Sequence, residues 1–317
     1  MRITQFARVA AVAALVGGTA LMVPTAADAA YPGQIGRIAF ELDGSIVSIN
    51  ADGSDAVHLT TGTTAHGPRW SPDGTLIAYY QNGDIWAMRA NGSGKHRITS
   101  GSASDINPDW SPNGGKIVFS RTSNGTNAGR SLYVVAATGG RARLLTGHND
   151  GCAVDPTWAA TNRYVVYWDQ CAGGTQSGDA IRKVNVRTGQ ISDVIGTAGV
   201  STPGGQVFFG AGNGAPDVTP DGRHVVFTGV SSTTERLAVA TADLSGGNLR
   251  FITSGYDDVF EVADPSVSPD GNQVAYTTGD ENPQLDVVDY NGTDQCCSVI
   301  IDRLVDFPFR SDWQPVH

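Results

Sequence analysis

The segment Trp70-Ser71-Pro72-Asp73-Gly74 returns as Trp110-Ser111-Pro112-Asn113-Gly114. Weaker copies stand at Val218–Gly222, Val267–Gly271, Trp158–Asn162 and Trp313–Pro315. In Ser-Pro-Asp-Gly, proline presets φ at the second position of a type I turn, while serine and glycine suit its ends, so each copy reverses a hairpin. A turn repeated along a chain implies a repeated unit of architecture, and that constrains the fold more than any other feature here.

Apolar triplets follow the turns: Ile77-Ala78-Tyr79, Ile117-Val118-Phe119, Val165-Val166-Tyr167, Val225-Val226-Phe227 and Val274-Ala275-Tyr276. A further triplet, Ile38-Ala39-Phe40, has no turn before it. Each triplet leads to a second β-type segment, such as "DIWAM" from Asp84 or "SLYVV" from Ser131, and then a third, such as "HRITS" from His96 or "ARLLT" from Ala142. With the segment before each turn counted as a first strand, every unit has four strands, A to D. Six units emerge, their triplets roughly 40 to 60 residues apart. One four-stranded unit cannot bury both of its faces and must stack on neighbours, so the expected fold is an all-β, six-bladed β-propeller of antiparallel blades. The pattern opens at a strand B and ends on "SDWQPVH", a strand A without its B, so the C-terminal strand is expected to complete the first blade and leave no free edge.

Of the 317 residues, 40% are hydrophobic and 16% charged, enough apolar material for one large domain. Arg2 and Arg8 precede the apolar run Val9–Val23, and Ala27-Asp28-Ala29 puts small residues where a signal peptidase reads. A signal peptide over residues 1–29 is therefore expected, followed by a single propeller domain over 30–317, with a secreted, periplasmic or cell-envelope destination and no membrane insertion after cleavage. Cleavage would remove Arg2, Arg8 and Asp28, leaving 19 basic against 30 acidic residues and a net charge of −11. That balance argues against nucleic acid as a partner. A monomer is expected.

In an antiparallel blade the A–B and C–D turns fall on one face of the ring, and the B–C and D–A connections on the other. The first face has short hairpins. The second has the long loops, including Thr146–Asp155, Gly196–Asp217, Thr253–Asp264 and Ile301–Asp312. Long loops on a rigid scaffold are where binding concentrates. Cys152 just before a strand A and Cys171 just after its strand B both belong at that face, which makes a Cys152–Cys171 disulfide geometrically reasonable. The adjacent Cys296 and Cys297 fit a vicinal disulfide, free thiols or separate partners.

Asn107, Asp155 and Asp264 stand at equivalent positions, each before the proline that leads a strand A. Innermost strands converge on the central channel, so these three residues should meet there. Asp105, His148, Asp150, Asp257, Asp258 and Glu261 lie in nearby loops. The binding residues are therefore expected to be Asn107, His148, Asp150, Asp155, Asp258, Glu261 and Asp264. No cofactor is required, although oxygen-rich clusters of this kind suit calcium, which takes six to eight such ligands. The alternative for each acid is a turn cap on a solvated surface. For catalysis, His66 and His148 are the histidines of the long-loop face, and His148 with Asp155 or Asp264 would supply a general base and its orienter. No G-x-S-x-G, H-E-x-x-H or C-x-x-C motif accompanies them. The glycines of "VFFGAGNGAP" (Val207–Pro216) read as a loop hairpin, not as a dinucleotide site, because no helix follows. Asp73, Asp221 and Asp270 read as turn formers, and Trp70, Trp110, Trp158 and Trp313 as interblade core.

The stretches "PRWSPDGTLIAYY…GDIWAMRANGSGKHRIT" and "PDWSPNGGKIVFS…SLYVVAATGGRARLLT" resemble the repeats of TolB-type, WD40-like propellers, and the likeness runs over nearly all of Gly36–Pro315. TolB itself carries an α/β domain ahead of its propeller, whereas here the blade pattern begins within ten residues of the expected cleavage point. The resemblance implies the propeller fold and protein binding, and it assigns no individual residue. The expected function is that of an exported, non-enzymatic module binding a protein or an envelope polymer through its long-loop face. The alternative is a hydrolase or lyase acting on an extracellular polymer.

Overall fold

A computed structural model describes residues 34–62, 64–122, 129–146, 152–170, 179–197, 200–202, 205–208, 215–231, 237–253, 262–278, 284–292, 298–301 and 310–316. The expected signal peptide lies outside them. Among the described residues no helix is long and apolar enough to cross a membrane.

Six antiparallel sheets form the six blades. Blade 1 takes its strand A from Ser311–Val316 and continues through Gln34–Leu42, Ser45–Asn50 and Val57–His58. Closure by the C-terminal strand is thus as expected, with Ile38 opposite Trp313 and Phe40 opposite Ser311. Blades 2, 3, 4 and 6 open on Ala65–Trp70, Ser104–Trp110, Ala153–Trp158 and Val262–Val267. Blade 5 opens on the short Asp217–Val218, and its strand B, His224–Ser231, also pairs with an added hairpin of Val200–Thr202 and Gly205–Phe208. Its sheet therefore has six strands, a departure from the uniform four. Within "VFFGAGNGAP", Val207–Phe208 is strand, while residues 209–214 lie outside the described set.

The turn chemistry read from the repeat is realised locally. Gly74, Gly114, Gly222 and Gly271 donate N–H to the carbonyls of Ser71, Ser111, Thr219 and Ser268 at 2.7–2.8 Å. Asp73, Asn113, Asp221 and Asp270 accept from the hydroxyl two residues before them, as turn formers do. Trp313–Pro315 departs from this pattern: it continues the closing strand and makes no turn.

The core lies between blades. Each of six apolar clusters draws its residues from two neighbouring blades, for example Ala39 and Ile46 against Trp70, Ile77 and Tyr79. All three residues of every strand B triplet are fully buried, and Trp70, Trp110, Trp158 and Trp313 are only 2–3% exposed. Packing accounts for the recurrence of these residues, and it makes each blade's stability depend on its neighbours.

Candidate functional site at the channel mouth

The site is built on a repeated backbone feature. In blades 2, 3, 4 and 6 two strand A residues oppose one residue of strand B, and the pairs are Gly67-Pro68, Asn107-Pro108, Asp155-Pro156 and Asp264-Pro265. The first residue of each bulge has a left-handed φ between 50° and 58°. Glycine, asparagine and aspartate are the residues that tolerate this region, which is a local reason for their presence. Arg310, at φ 61°, takes the equivalent sequence position immediately before the closing strand.

The structure brings Asn107, Asp155 and Asp264 together around the side chain that the sequence reading missed. Asn107 Nδ2 donates to Asp155 Oδ1 at 2.6 Å, the Arg310 guanidinium pairs with the same carboxylate, and the Arg310 N–H donates to Asp264 Oδ2 at 3.2 Å. Asp155 and Arg310 are 12% and 15% exposed, so the pair is largely withdrawn from water. Burial pushes Asp264 up to about 6, against the pull of the Arg310 N–H and of Arg69, and burial lowers Arg310 to about 10. Arg310 could have been found by aligning "RSDW" with "NPDW", but its repeat carries Ser311 in place of the proline.

Above this layer opens a cavity of about 360 Å³, lined by these residues and by Glu41, Tyr80, Arg130, Gln170 and Thr228. The last five come from the mouth-side ends of strands B and C, so the cavity lies on the long-loop face. His66 Nδ1 contacts Glu41 Oε1 at 2.5 Å and its ring stacks on Tyr80 with centroids 5.2 Å apart. The hydrogen bond to Glu41 raises the pKa of His66, with burial opposing it. His66 belongs to strand A of blade 2, not to a loop, and its partner comes from the neighbouring blade.

Two other expectations change. Asp105 is not a loop acid: it sits in strand A of blade 3, 1% exposed, and accepts from Arg121 Nε and Nη2 at 2.6 and 2.8 Å. Of the residues expected to suit calcium, Asp155 is paired with the Arg310 guanidinium, and among the described residues no group of three or more His, Cys, Asp or Glu could hold a metal ion. His148, Asp150, Asp257, Asp258, Glu261, Cys171, Cys296 and Cys297 lie outside the described residues. Cys152 precedes strand A of blade 4, where Gln170 donates its N–H to the Cys152 carbonyl at 3.2 Å.

Residues 63–197 match a family model described as the TolB beta propeller domain. The chain is similar to an uncharacterized protein of Agrobacterium fabrum, 28% identical over 222 residues that cover 67% of this chain and 65% of that one. It is also similar to the Tol-Pal system protein TolB of Francisella tularensis, 26% identical over 231 residues covering 71% of this chain and 48% of the relative. The crystal structure of TolB from Acinetobacter baumannii superposes with a TM-score of 0.69 at 19% identity, covering 90% of this chain and 68% of that one. The matched regions thus span about half to two thirds of these curated relatives.

Proposed function

We propose that this chain, a TolB-type six-bladed β-propeller, is an exported, non-enzymatic module that binds a protein or an envelope polymer through the mouth of its channel. The observation that carries this reading is the 360 Å³ cavity on the long-loop face, whose walls present polar groups held in place by Arg310 and the bulged strands. Concave sites with a few fixed polar groups are the usual binding sites of rigid scaffolds. The name Tol-Pal system protein, borne by a relative, makes an envelope assembly the first place to seek the partner.

Charge reversal at Asp155 or Asp264 would test the scaffold instead of the site, because both carboxylates hold Arg310. The informative variant is Arg130→Ala with Tyr80→Phe, at the cavity wall. Affinity capture from the producing cell's envelope, followed by titration of the recovered partner, should give binding to the wild type and at least tenfold weaker binding to the variant at an unchanged melting temperature. Equal affinity would move the site off the mouth.

Export and the disulfide belong to the same proposal. Supporting the Cys152–Cys171 pairing, Gln170, the chain neighbour of Cys171, donates its N–H to the Cys152 carbonyl at 3.2 Å. The mass of the exported protein, with and without reductant, checks both cleavage after Ala29 and the pairing.

A second reading, a hydrolase or lyase on an extracellular polymer, is favoured by one observation: a histidine oriented by a carboxylate at 2.5 Å beside a cavity. His66 then stands beside His148 as a candidate base. Turnover of an extracellular polymer, lost in His66→Ala, would replace the binding reading.

A further inference from the structure

One layer below the mouth, the residues two positions after Gly67, Asn107, Asp155, Ala215, Asp264 and Arg310 form another ring: Arg69, Asp109, Thr157, Asp217, Ser266 and Asp312, one from each blade. Arg69 lies within 3.4–3.8 Å of Asp312, Asp109 and Asp217, which belong to blades 1, 3 and 5. A guanidinium in blade 2 that reaches a carboxylate across the ring in blade 5 must lie near the axis, so it plugs the channel.

The same residues stitch all six seams. Asp312, Asp109 and Asp217 accept the N–H groups of Trp70, Trp158 and Val267, joining blades 1 to 2, 3 to 4 and 5 to 6. Trp110 Nε1 donates to the Arg69 carbonyl, Thr157 Oγ1 to Asp217, and Trp313 Nε1 to the Ser266 carbonyl, joining the other three. The three carboxylates and Arg69 are at most 16% exposed. One guanidinium cannot compensate three buried carboxylates, and an uncompensated buried charge is eased by taking up a proton.

We infer that this ring is a proton-linked lock on propeller closure, formed with a proton held among its carboxyls at neutral pH and loosened as the solution becomes alkaline. Burial pushes Asp312 up to about 7 and Asp109 up to about 6, while Arg69 pulls both down and Asp217 pushes both up. The charged groups facing the ring are its own four, with Arg310 and Asp264 in the layer above, where Arg310 is already paired with Asp155. The folded state therefore binds more protons than the unfolded chain between the ordinary carboxylate range and about pH 7. Stability linked to the ring is full below the ordinary carboxylate range and falls steadily from there until the pH has passed the folded values of about 6 and 7.

Thermal unfolding of the mature protein from pH 5.5 to 8.5, beside Asp312→Asn, tests the lock. Asparagine can still accept the Trp70 N–H. The wild type should lose roughly 3 °C or more across this range, and Asp312→Asn should lose less and melt above the wild type at pH 8.5. Asp264 and Asp179, both also pushed up to about 6, contribute equally to both proteins, so the difference in slope isolates the ring. In the infrared, the C=O stretch of a protonated carboxyl should be present in the wild type at pH 7 and weakened in the variant. Parallel slopes together with an unchanged infrared band would overturn the inference. If Asp312→Asn does not fold, Asp109→Asn carries the same test at the seam between blades 3 and 4.

Discussion

Two rings line the channel, two residues apart on the same strands. The upper ring, with Asn107, Asp155, Asp264 and Arg310, sits on left-handed backbone and faces a cavity. The lower ring, centred on Arg69, bonds to the seams between blades. Their chemistry is similar, since both set one guanidinium among carboxylates, yet the surroundings differ. Below, each carboxylate also accepts a backbone N–H from the next blade, so its position is tied to closure of the ring. Above, Asp264 accepts such a bond from the Arg310 N–H, whereas Asp155 is held by the side chains of Asn107 and Arg310 and faces the open cavity. A similar set of charges can thus serve as an internal clamp or as a surface available for recognition, depending on whether neighbouring backbone groups occupy the remaining hydrogen-bonding positions.

Removing each arginine tests that contrast most severely. Arg69→Ala leaves three buried carboxylates without their cation and should cost about 3–5 kcal/mol in denaturant unfolding. Arg310→Ala should cost less, about 1–3 kcal/mol, because Asp155 keeps the Asn107 donor beside an open cavity. Equal costs would erase the distinction between the rings.

A smaller effect is expected at the Glu41–His66 contact. Glu41→Gln removes the charge that favours protonated His66, so an NMR titration of the imidazole should show its pKa fall toward the ordinary value of about 6.5. In the wild type, His66 is raised in the folded state, so the stability it contributes is full below that ordinary value and lost as pH rises through the raised one. No change in the titration would mean that the contact does not control the histidine. The smallest effect belongs to Asn107→Gly, which keeps the left-handed φ of 56° and loses the bond to Asp155. A change of about 0–1 kcal/mol is expected, and a larger loss would show that the upper ring also bears on closure.

The fold was legible because its determinants are local and repeated. Every buried strand B triplet is a run of apolar residues, and Gly74, Gly114, Gly222 and Gly271 each sit three residues after a serine or threonine. Asn107, Asp155 and Asp264 were legible because the following proline marks the bulge. Arg310 was missed because Ser311 replaces that proline. Glu41 and His66 are 25 residues apart and meet across a blade seam, a pairing that no local pattern encodes. The lower ring escaped because its members change identity from blade to blade, from arginine to aspartate, threonine and serine. Their shared role follows only from their shared distance to the axis.

The most direct test of binding at the mouth is site-specific photo-crosslinking in the producing cell. Crosslinkers at Gln170 and Tyr80, on the long-loop face, should be compared with crosslinkers at Asp52 and Asn91, in the exposed C–D turns of the opposite face. A discrete adduct formed from Gln170 or Tyr80, and absent from Asp52 and Asn91, is the predicted result. An adduct formed only from the hairpin face would contradict the account.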